Sequence, residues 1–331
     1  MGIKKTYLTW LSPFSWVLAL RHFLYDRGIF TSWSFDVPVI CVGNLAVGGT
    51  GKTPMTEFLV ERLLEKGRNP IVLSRGYGRK TRGFRYVTLS DTASDVGDEP
   101  LQIKRRFCRA VVAVCEDRVR GVRRLLADHP QDPWIILDDA FQHRRIRAEK
   151  NILMTDCSRP FWKDTLLPLG RLRDLPSAVR RADCVVLTRC KPKMPFSGII
   201  KPVADIPVFS TMMSYGDLIP LNDPEIMPEK GSSVLLLTGI AYASPLRDYL
   251  QTQYKVECHL EFSDHHRFTA KDLSRIKQLL GKHPNWHLIT TAKDDARLTG
   301  SGIAGWVIPL RISFFSEESA AGFFHLVTGL R

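Results

Sequence analysis

A glycine-rich stretch near the start of the chain, VGNLAVGGTGKTP (residues 42–54), carries the clearest chemical signal in the sequence. Its glycines leave the backbone bare enough to curl, so that successive N–H groups converge on phosphate oxygens at the start of a helix. We expect Lys52 to reach the β- and γ-phosphates of a nucleotide and the Thr53 hydroxyl to bind Mg²⁺. The predicted phosphate-binding loop consists of Ala46, Val47, Gly48, Gly49, Thr50, Gly51, Lys52 and Thr53.

Acidic side chains follow a second apolar run, WIILDD (134–139), which ends in Asp138 and Asp139. In parallel α/β sheets, ligands bind beyond the carboxyl ends of the strands. A carboxylate in that position beside a phosphate-binding loop is the Walker-B arrangement, which holds or orients Mg²⁺. We therefore expect Asp138 and Asp139 to offer a carboxylate to Mg²⁺, and an ordinary turn after a strand is the alternative.

The segment VGDEP (96–100) places Asp98 and Glu99 after Gly97 and ahead of a predicted helix. Carboxylates in this position either cap a helix or present a base to a substrate hydroxyl. The sequence leaves both readings open.

The segment FSDHHRF (262–268) brings Asp264, His265 and His266 together ahead of a helix that begins at Thr269. A His–Asp pair can accept a proton from an alcohol, with the carboxylate fixing the histidine tautomer. The alternative is a surface turn with a capping aspartate.

The segment TTAKDDARL (290–298) contains a Lys–Asp pair similar to the Lys-x-Asp that reads guanine in GTPases. Ala292 stands where that motif has Asn. The segment therefore predicts a nucleotide-base contact or a hinge contact, and argues against a guanine site.

The elements around the glycine-rich stretch are those that a P-loop needs. FDVPVICV (35–42) predicts a buried strand, and TPMTEFLVERLLEKG (53–67) predicts a helix with Pro54 near its start and Gly67 at its end. Ala46 stands where the strict motif has Gly, so a glycine-rich turn before an ordinary helix is the alternative.

Strand and helix patterns alternate along the rest of the chain, which predicts an α/β protein with a P-loop NTPase-type, mostly parallel sheet covered by helices on both faces. A smaller C-terminal α/β domain is expected to follow a proline-rich connection. The predicted divisions are an N-terminal segment, a P-loop domain, a linker and the C-terminal domain, at residues 1–30, 31–205, 206–232 and 233–331.

Composition limits the partners. The formal net charge of +13 over 331 residues predicts an anionic partner, yet no nucleic-acid-binding signature is present, so nucleic acid is not expected. The seven cysteines are scattered and lack CxxC spacing, which indicates a reducing compartment and no zinc site. Nothing in the sequence indicates an obligate protein partner.

The N-terminal stretch TYLTWLSPFSWVLALRHFLYDRGIF (6–30) is rich in aromatic residues and leucine. Arg21 and His22 interrupt it, so its apolar run falls far below the ~20 residues that span a bilayer. It predicts an amphipathic segment lying in the lipid headgroup layer, or alternatively a helix packed on the core. The residues expected on its apolar side are Trp10, Phe14, Val17, Leu18 and Leu24, with basic residues nearby at Lys4, Lys5, Arg21 and Arg27.

Seven motifs occur in the order found in the tetraacyldisaccharide 4'-kinase (lipid A 4'-kinase) family, which this sequence resembles. They are GNLAVGGTGKTP, LSRGYGR (73–79), VGDEP, LDDAFQH (137–143), PLGRLRDLPSAVRRAD (168–183), FSDHH and TTAKD. The resemblance implies a bacterial P-loop kinase that uses ATP and Mg²⁺. It implies phosphorylation of the 4'-hydroxyl of a tetraacyl glucosamine disaccharide 1-phosphate, a lipid A precursor. It also implies a peripheral enzyme at the anionic cytoplasmic face of the inner membrane.

The same resemblance implies residue roles. Asp98 would act with His265 as the base for the 4'-hydroxyl, while Lys52 and Thr53 would hold the ATP phosphates and Mg²⁺. Because Asp98 and His265 lie in different predicted domains, domain closure is expected to bring them together. Candidates for the substrate phosphate or the migrating phosphoryl group are Arg118, Arg171 and Arg173. Asp174 stands where the family often has Glu, which puts a metal contact there in doubt.

Two other functions fit the motifs less completely. One is a P-loop kinase of a soluble small molecule, with the N-terminal aromatic residues buried in its core. The other is a non-enzymatic nucleotide switch such as a P-loop metallochaperone, for which the expected Cys/His metal spacing is absent from the sequence.

Overall fold

The computed structural model describes residues 13–192, 205–264, 266–298 and 300–330. Its strands are β1 (Val39–Asn44), β2 (Asn69–Ser74), β3 (Arg85–Tyr86), β4 (Val111–Val114), β5 (Pro133–Asp138), β6 (Lys150–Asp156), β7 (Cys184–Thr188), β8 (Val208–Tyr215), β9 (Ile219–Leu221), β10 (Ser233–Thr238), β11 (Lys255–Glu261), β12 (His287–Thr291), β13 (Gly305–Ile308) and β14 (Leu310–Phe314). Its α-helices are α1 (Pro13–Asp26), α2 (Lys52–Glu65), α3 (Ala93–Val96), α4 (Asp98–Arg106), α5 (Arg118–Asp128), α6 (Ser244–Gln251), α7 (Ala270–Lys282), α8 (Ala292–Asp295) and α9 (Glu317–Thr328).

The larger sheet has nine strands in the order β14-β8-β7-β6-β1-β5-β2-β4-β3. Its pairs are parallel except at the two edges, where β14 runs antiparallel to β8 and β3 antiparallel to β4. After β1 the chain builds one side of the sheet through β2, β4 and β5, then crosses to the other side with β6. The carboxyl end of β1 is therefore the topological switch point, where a ligand crevice is expected.

Strand β1 is buried on both faces. Ile40 and Val42 belong to a core cluster with residues of α2, α4 and α9, whereas Val39 and Cys41 belong to a second cluster with residues of α1 and α5. Burial on both faces is typical of a parallel sheet between two helical layers. The predicted fold class is thus confirmed.

The smaller sheet has five strands in the order β11-β10-β12-β13-β9. Helix α7 covers one face through Ile276, and α6 covers the other through Leu246 and Leu250. This unit corresponds to the C-terminal α/β domain expected from the sequence.

The chain returns to the larger sheet at its end. Strand β14 pairs with β8, and Phe323 of α9 lies in the same core cluster as β1, with its ring centroid 5.3 Å from that of Phe209. The limits predicted from sequence do not coincide with the two sheets, because residues 206–232 contain β8 and β9 and residues 310–328 pack on the larger unit. Only Pro309 separates β13 from β14, so no linker marks the crossing.

Helix α1 packs on the larger unit through one face. Ser15 and Leu18 are buried, and His22 Nε2 lies 2.5 Å from Asp174 Oδ1. Leu18 is therefore part of the core, and its predicted place on the outward apolar side is wrong.

The opposite face of α1 is exposed. Its large apolar residues exposed to solvent are Phe14, Trp16, Val17, Leu20 and Phe23. Trp16, Leu20 and Phe23 recur at the four- and three-residue spacings that align side chains along one helix face. Trp10, Lys4 and Lys5 lie outside the described residues. Among the described residues, every helix is too short or too polar to cross a bilayer.

Candidate active site

The glycine-rich loop joins β1 to α2, as predicted. Gly48 and Gly51 have φ values of +106° and +85°, in the region that residues with a side chain rarely adopt. A Cβ on Gly51 would also stand 2.5 Å from Met213 Cε. The backbone conformation therefore favours glycine at both positions, whereas the Met213 side chain could move away from a Cβ at position 51.

A second segment holds this loop in shape. The Val47 N–H donates to the Arg171 carbonyl at 2.8 Å, and the Arg173 N–H donates to the Leu45 carbonyl at 2.8 Å. The Asn44 side-chain amide donates to Thr50 Oγ1 at 2.7 Å. Hydrogen bonds within the protein thus hold the curvature of the loop, and such support lowers the cost of binding phosphate.

Asp138 ends β5 and pairs in register with Val42 of β1. It is fully buried, and its two oxygens accept hydrogen bonds from Thr56 Oγ1 at 3.1 Å and Ser74 Oγ at 3.3 Å. Burial, together with the negative charges of Glu99 and Asp139, raises the pKa of Asp138 to about 7. A cation placed beside the Asp138 carboxyl group would therefore lower its pKa.

Asp139 follows in a left-handed conformation, with φ +47°. Its carboxylate lies 3.8 Å from Lys52 Nζ and accepts hydrogen bonds from the Arg173 guanidinium, which also donates to Asn44 Oδ1 at 2.7 Å. Burial acts to raise the pKa of Asp139, but the charges of Lys52 and Arg173 outweigh it and lower that pKa below its usual range. The structure thus brings together Lys52, Asp139 and Arg173 at the switch point.

These groups fit a Mg²⁺–nucleotide pair. Mg²⁺ prefers hard oxygen donors and keeps few protein ligands when it also binds phosphates and water. Thr53, Asp138 and Asp139 carry oxygen atoms of this kind and stay the predicted Mg²⁺ ligands, while both Asp138 oxygens accept hydrogen bonds from Thr56 and Ser74. Within the described ranges, the structure has no cluster of three His, Cys, Asp or Glu residues suited to a metal held by protein alone.

Arg118 and Arg171, the other two arginines predicted to bind a phosphate, differ in burial and in contacts. Arg118, at the first position of α5, is only 3% exposed. Its Nη1 donates to the Cys115 carbonyl at 3.0 Å, while its buried Nε has no hydrogen-bond partner in the described part of the chain. Burial lowers the pKa of Arg118, and the charges of Asp138 and Asp139 act in the opposite direction. The Arg171 side chain is partly exposed and donates to Asp164 Oδ2 at 3.4 Å, so its main contact with the loop is through its backbone.

Asp98 occupies the first position of α4, with Gly97 as the capping residue. Its Oδ2 accepts from Arg297 Nη2 at 2.6 Å and from Arg297 Nε at 3.0 Å. Arg297 follows α8 in the smaller unit, so this ion pair joins the two units. Arg297 has no signal of its own in the sequence beyond ending the charged run KDDAR (293–297), for which a hinge contact is one of the predictions.

The FSDHHRF segment is also tied to neighbouring elements. Asp264 Oδ1 accepts from Lys293 Nζ at 2.9 Å, and His266 Nε2 lies 3.1 Å from Asp272 Oδ2. Thr269 begins α7 as expected, in a capping box with Asp272. His265 lies outside the described residues, so its pairing with Asp98 stays a prediction.

A cationic cavity of about 420 Å³ lies next to α4. Its lining residues are Arg75, Gly76, Tyr77, Gly78, Arg79, Lys80, Thr81, Arg82 and Glu116. A Cβ on Gly97 would stand 3.0 Å from the Tyr77 carbonyl, so the loop packs directly against the residue before Asp98. The smaller unit touches the same loop, because Arg267 Nη2 donates to the Gly78 carbonyl at 3.3 Å. In the sequence, this loop corresponds only to the motif LSRGYGR (73–79).

A mostly parallel sheet with a P-loop at its switch point and an aspartate ending the adjacent strand defines the P-loop class of nucleotide-binding proteins. The family profile described as tetraacyldisaccharide-1-P 4'-kinase matches residues 7–327 of the chain. The chain belongs to this family.

Individual relatives are similar to this chain in sequence and in fold. The chain is 42% identical over 310 residues to the tetraacyldisaccharide 4'-kinase of Bacteroides fragilis strain YCH46, an alignment that covers 87% of this chain and 82% of the relative. It is 39% identical over 336 residues to that of Phocaeicola vulgatus, covering 93% and 91%. The crystal structure of LpxK from Aquifex aeolicus, in complex with ATP, is similar with a TM-score of 0.77 and 29% identity, covering 98% of this chain and 99% of that one.

Replacing Lys52 by Ala should lower kcat by about 10²–10³-fold, because the substitution removes a cation aimed at the charge that develops during phosphoryl transfer. Thermal unfolding should stay close to that of the unchanged protein. The matched control is Lys66→Ala, at the exposed C-terminal end of the same helix, which should keep full activity. A folded Lys52→Ala protein with unchanged turnover would contradict the P-loop assignment.

Proposed function

We propose that the protein transfers the γ-phosphoryl group of ATP to the 4'-hydroxyl of a tetraacyl glucosamine disaccharide 1-phosphate, a precursor of lipid A. The observation that carries this proposal is the convergence of Lys52, Arg173 and Asp139 beside a preformed P-loop, in a chain that belongs to the 4'-kinase family. The cavity next to Asp98 supplies room for an acceptor on the adjoining side.

The P-loop N–H groups hold the ATP phosphates. The Lys52 ammonium group then contacts the β- and γ-phosphate oxygens in place of Asp139. Thr53 and the two aspartates would hold Mg²⁺, which would supply positive charge to neutralise the transferring phosphate. Arg173 and Arg118 lie close enough to Asp139 for their charges to act on it, so they are suited to the migrating phosphoryl group. Catalysis then comes mainly from positioning and from fixed positive charge.

The 4'-hydroxyl oxygen attacks the γ-phosphorus, and the bond from that phosphorus to the β,γ-bridging oxygen breaks, so ADP leaves. The hydroxyl proton passes to Asp98, acting with His265. Arg75 and Arg79 line the adjoining cavity and supply cationic groups for the substrate phosphate. Arg79 Nη2 pairs with Glu116 and donates to the Gly83 carbonyl, while its buried Nε and Nη1 have no hydrogen-bond partner among the described residues, which leaves two donors for a phosphate.

The exposed face of α1 supports a peripheral position on an anionic membrane, at the cytoplasmic face of the inner membrane. Apolar side chains on this face would enter the headgroup layer while the opposite face stays packed on the protein. The net charge of +13 adds attraction to anionic lipid. Such attachment brings a lipid-borne sugar to the enzyme without extracting its acyl chains.

The direct test is to incubate the purified protein with ATP, Mg²⁺ and the disaccharide 1-phosphate lipid, and to locate new phosphate by ³¹P NMR. We expect one new phosphate at the 4'-position, with one ADP formed per phosphate. ATP hydrolysis without a phosphorylated sugar would contradict the proposal and favour a nucleotide switch. Equal rates with lipid and with its deacylated sugar would favour a soluble small-molecule kinase.

Changing Trp16, Leu20 and Phe23 together to Ser should weaken binding to anionic phospholipid vesicles by about tenfold or more, because three large apolar side chains no longer leave water. Vesicle sedimentation measures the effect. The matched control changes Ile226 and Met227, which are 67% and 54% exposed in the smaller unit, to Ser and should leave binding unchanged. If the α1 variant binds vesicles as well as the unchanged protein, this face is not the membrane contact.

A further inference from the structure

Every charged residue of the segment 292–297, which comprises α8 and the two residues after it, is engaged with another part of the chain. Its ion pairs and hydrogen bonds are Lys293 to Asp264 at 2.9 Å, Asp294 to the Gly239 N–H at 3.0 Å, Asp295 to Arg105 at 2.8 Å and Arg297 to Asp98 at 2.6 Å. Two of these contacts stay within the smaller unit, and two cross to the larger one. The crossing contacts both end on helix α4.

The two crossing pairs hold opposite ends of α4. Arg297 binds Asp98 at the first residue of that helix, and Asp295 binds Arg105 seven residues later. At 1.5 Å per residue these points are about 10 Å apart along the axis. Helix α4 is therefore fixed in direction as well as in place.

Arg297 is itself held tightly. It is 3% exposed, and its Nη1 donates to the Gly239 carbonyl at 2.8 Å and to Asp294 Oδ1 at 3.1 Å. A Cβ on Gly239 would lie 2.8 Å from Asp294 Oδ1 and 3.3 Å from Arg297 Nη1, so only glycine leaves space for this arrangement. The guanidinium therefore presents Nε and Nη2 to Asp98 from a fixed position.

We propose that Arg297 is the positioning residue of Asp98, which rests on the proposed function in which Asp98 takes the proton of the sugar hydroxyl. Two N–H groups on one carboxylate oxygen restrict rotation of the Asp98 side chain. The guanidinium belongs to the smaller unit, so Asp98 has its working orientation only when the two units are in this relation. Arg297 acts on the reaction through Asp98, without itself touching the sugar or ATP.

A purely structural ion pair between the units is the competing explanation, and the molecule contains a control for it. Arg105 and Asp295 also join α4 to the segment 292–297, through a pair that includes no atom of Asp98. The Arg105 side chain is 21% exposed, whereas that of Arg297 is 3% exposed. If the pairs only hold the units together, losing either one should have similar effects. If Arg297 positions Asp98, the two losses should differ in kcat.

The experiment compares Arg297→Gln, Arg297→Lys and Arg105→Gln in the full-length protein. For Arg297→Gln we expect kcat to fall by about 10²-fold, the scale of a catalytic group displaced by about 1 Å, with KM for ATP within about twofold. Arg297→Lys should recover at least tenfold of that loss, because it restores the charge without the forked geometry. Arg105→Gln should lower kcat by less than about threefold.

Amide hydrogen exchange over residues 96–102, measured without sugar or ATP, should quicken in Arg297→Gln and slow again in Arg297→Lys. This readout does not depend on which acceptor the enzyme uses, so it tests whether Arg297 holds the start of α4 even if the lipid proves not to be the substrate, while the comparison of kcat with Arg105→Gln separates positioning from a purely structural role. Equal kcat losses in Arg105→Gln and Arg297→Gln would overturn the proposal. Unchanged exchange over residues 96–102 in Arg297→Gln would overturn it as well.

Discussion

The ion pair between Asp98 and Arg297 is the contact on which the arrangement of the site depends. It ties the first residue of α4 to the smaller unit, while the other side of α4 is tied to the P-loop helix. There, Glu57 of α2 pairs with Arg106 and accepts from Gln102 at 2.7 Å. Helices α2, α4 and α8 are thereby linked in series, which connects the phosphate loop, the proposed base and the smaller unit.

Three buried carboxyl groups of the described residues lie along this series and at the carboxyl end of β5. Glu57, Asp138 and Asp294 are each nearly or fully buried, and burial raises the pKa of each. Removing one partner from a buried pair costs about 3–5 kcal/mol, whereas apolar replacements of both are often neutral. Stability alone therefore does not account for these pairs. Their location between the P-loop and the smaller unit indicates a role in holding the reacting groups at fixed positions relative to one another.

The parts of the site that follow a local pattern were predictable from the sequence. The glycines at 48 and 51, Lys52 and the aspartates after β5 are fixed by strand, loop and helix context within a few residues, and the structure places them together. Leu18 was misplaced, because a helix with apolar residues on both sides gives no periodic signal for which face packs inward. The structure resolves this through Ser15 and His22, which share the packed face.

Contacts between distant residues could not be predicted in this way. Strand β14 pairs with β8 across about 100 residues, and neither strand shows a local pattern that selects its partner. Arg297 and Asp98 are 199 residues apart, and a single arginine after an acidic run has no spacing that indicates its target. Such pairs are set by the global fold.

In the proposed mechanism, one catalytic centre is assembled from both units, with Asp98 from the larger and His265 from the smaller. A double-mutant cycle on kcat, using Asp98→Ala, His265→Ala and the combined variant, tests it most directly. The account predicts a large loss of kcat in each single variant, with KM for ATP little changed. The double variant should be scarcely worse than the poorer single one, because residues that act as a unit are not additive. Losses that multiply would show that the two residues act independently and would contradict the claim.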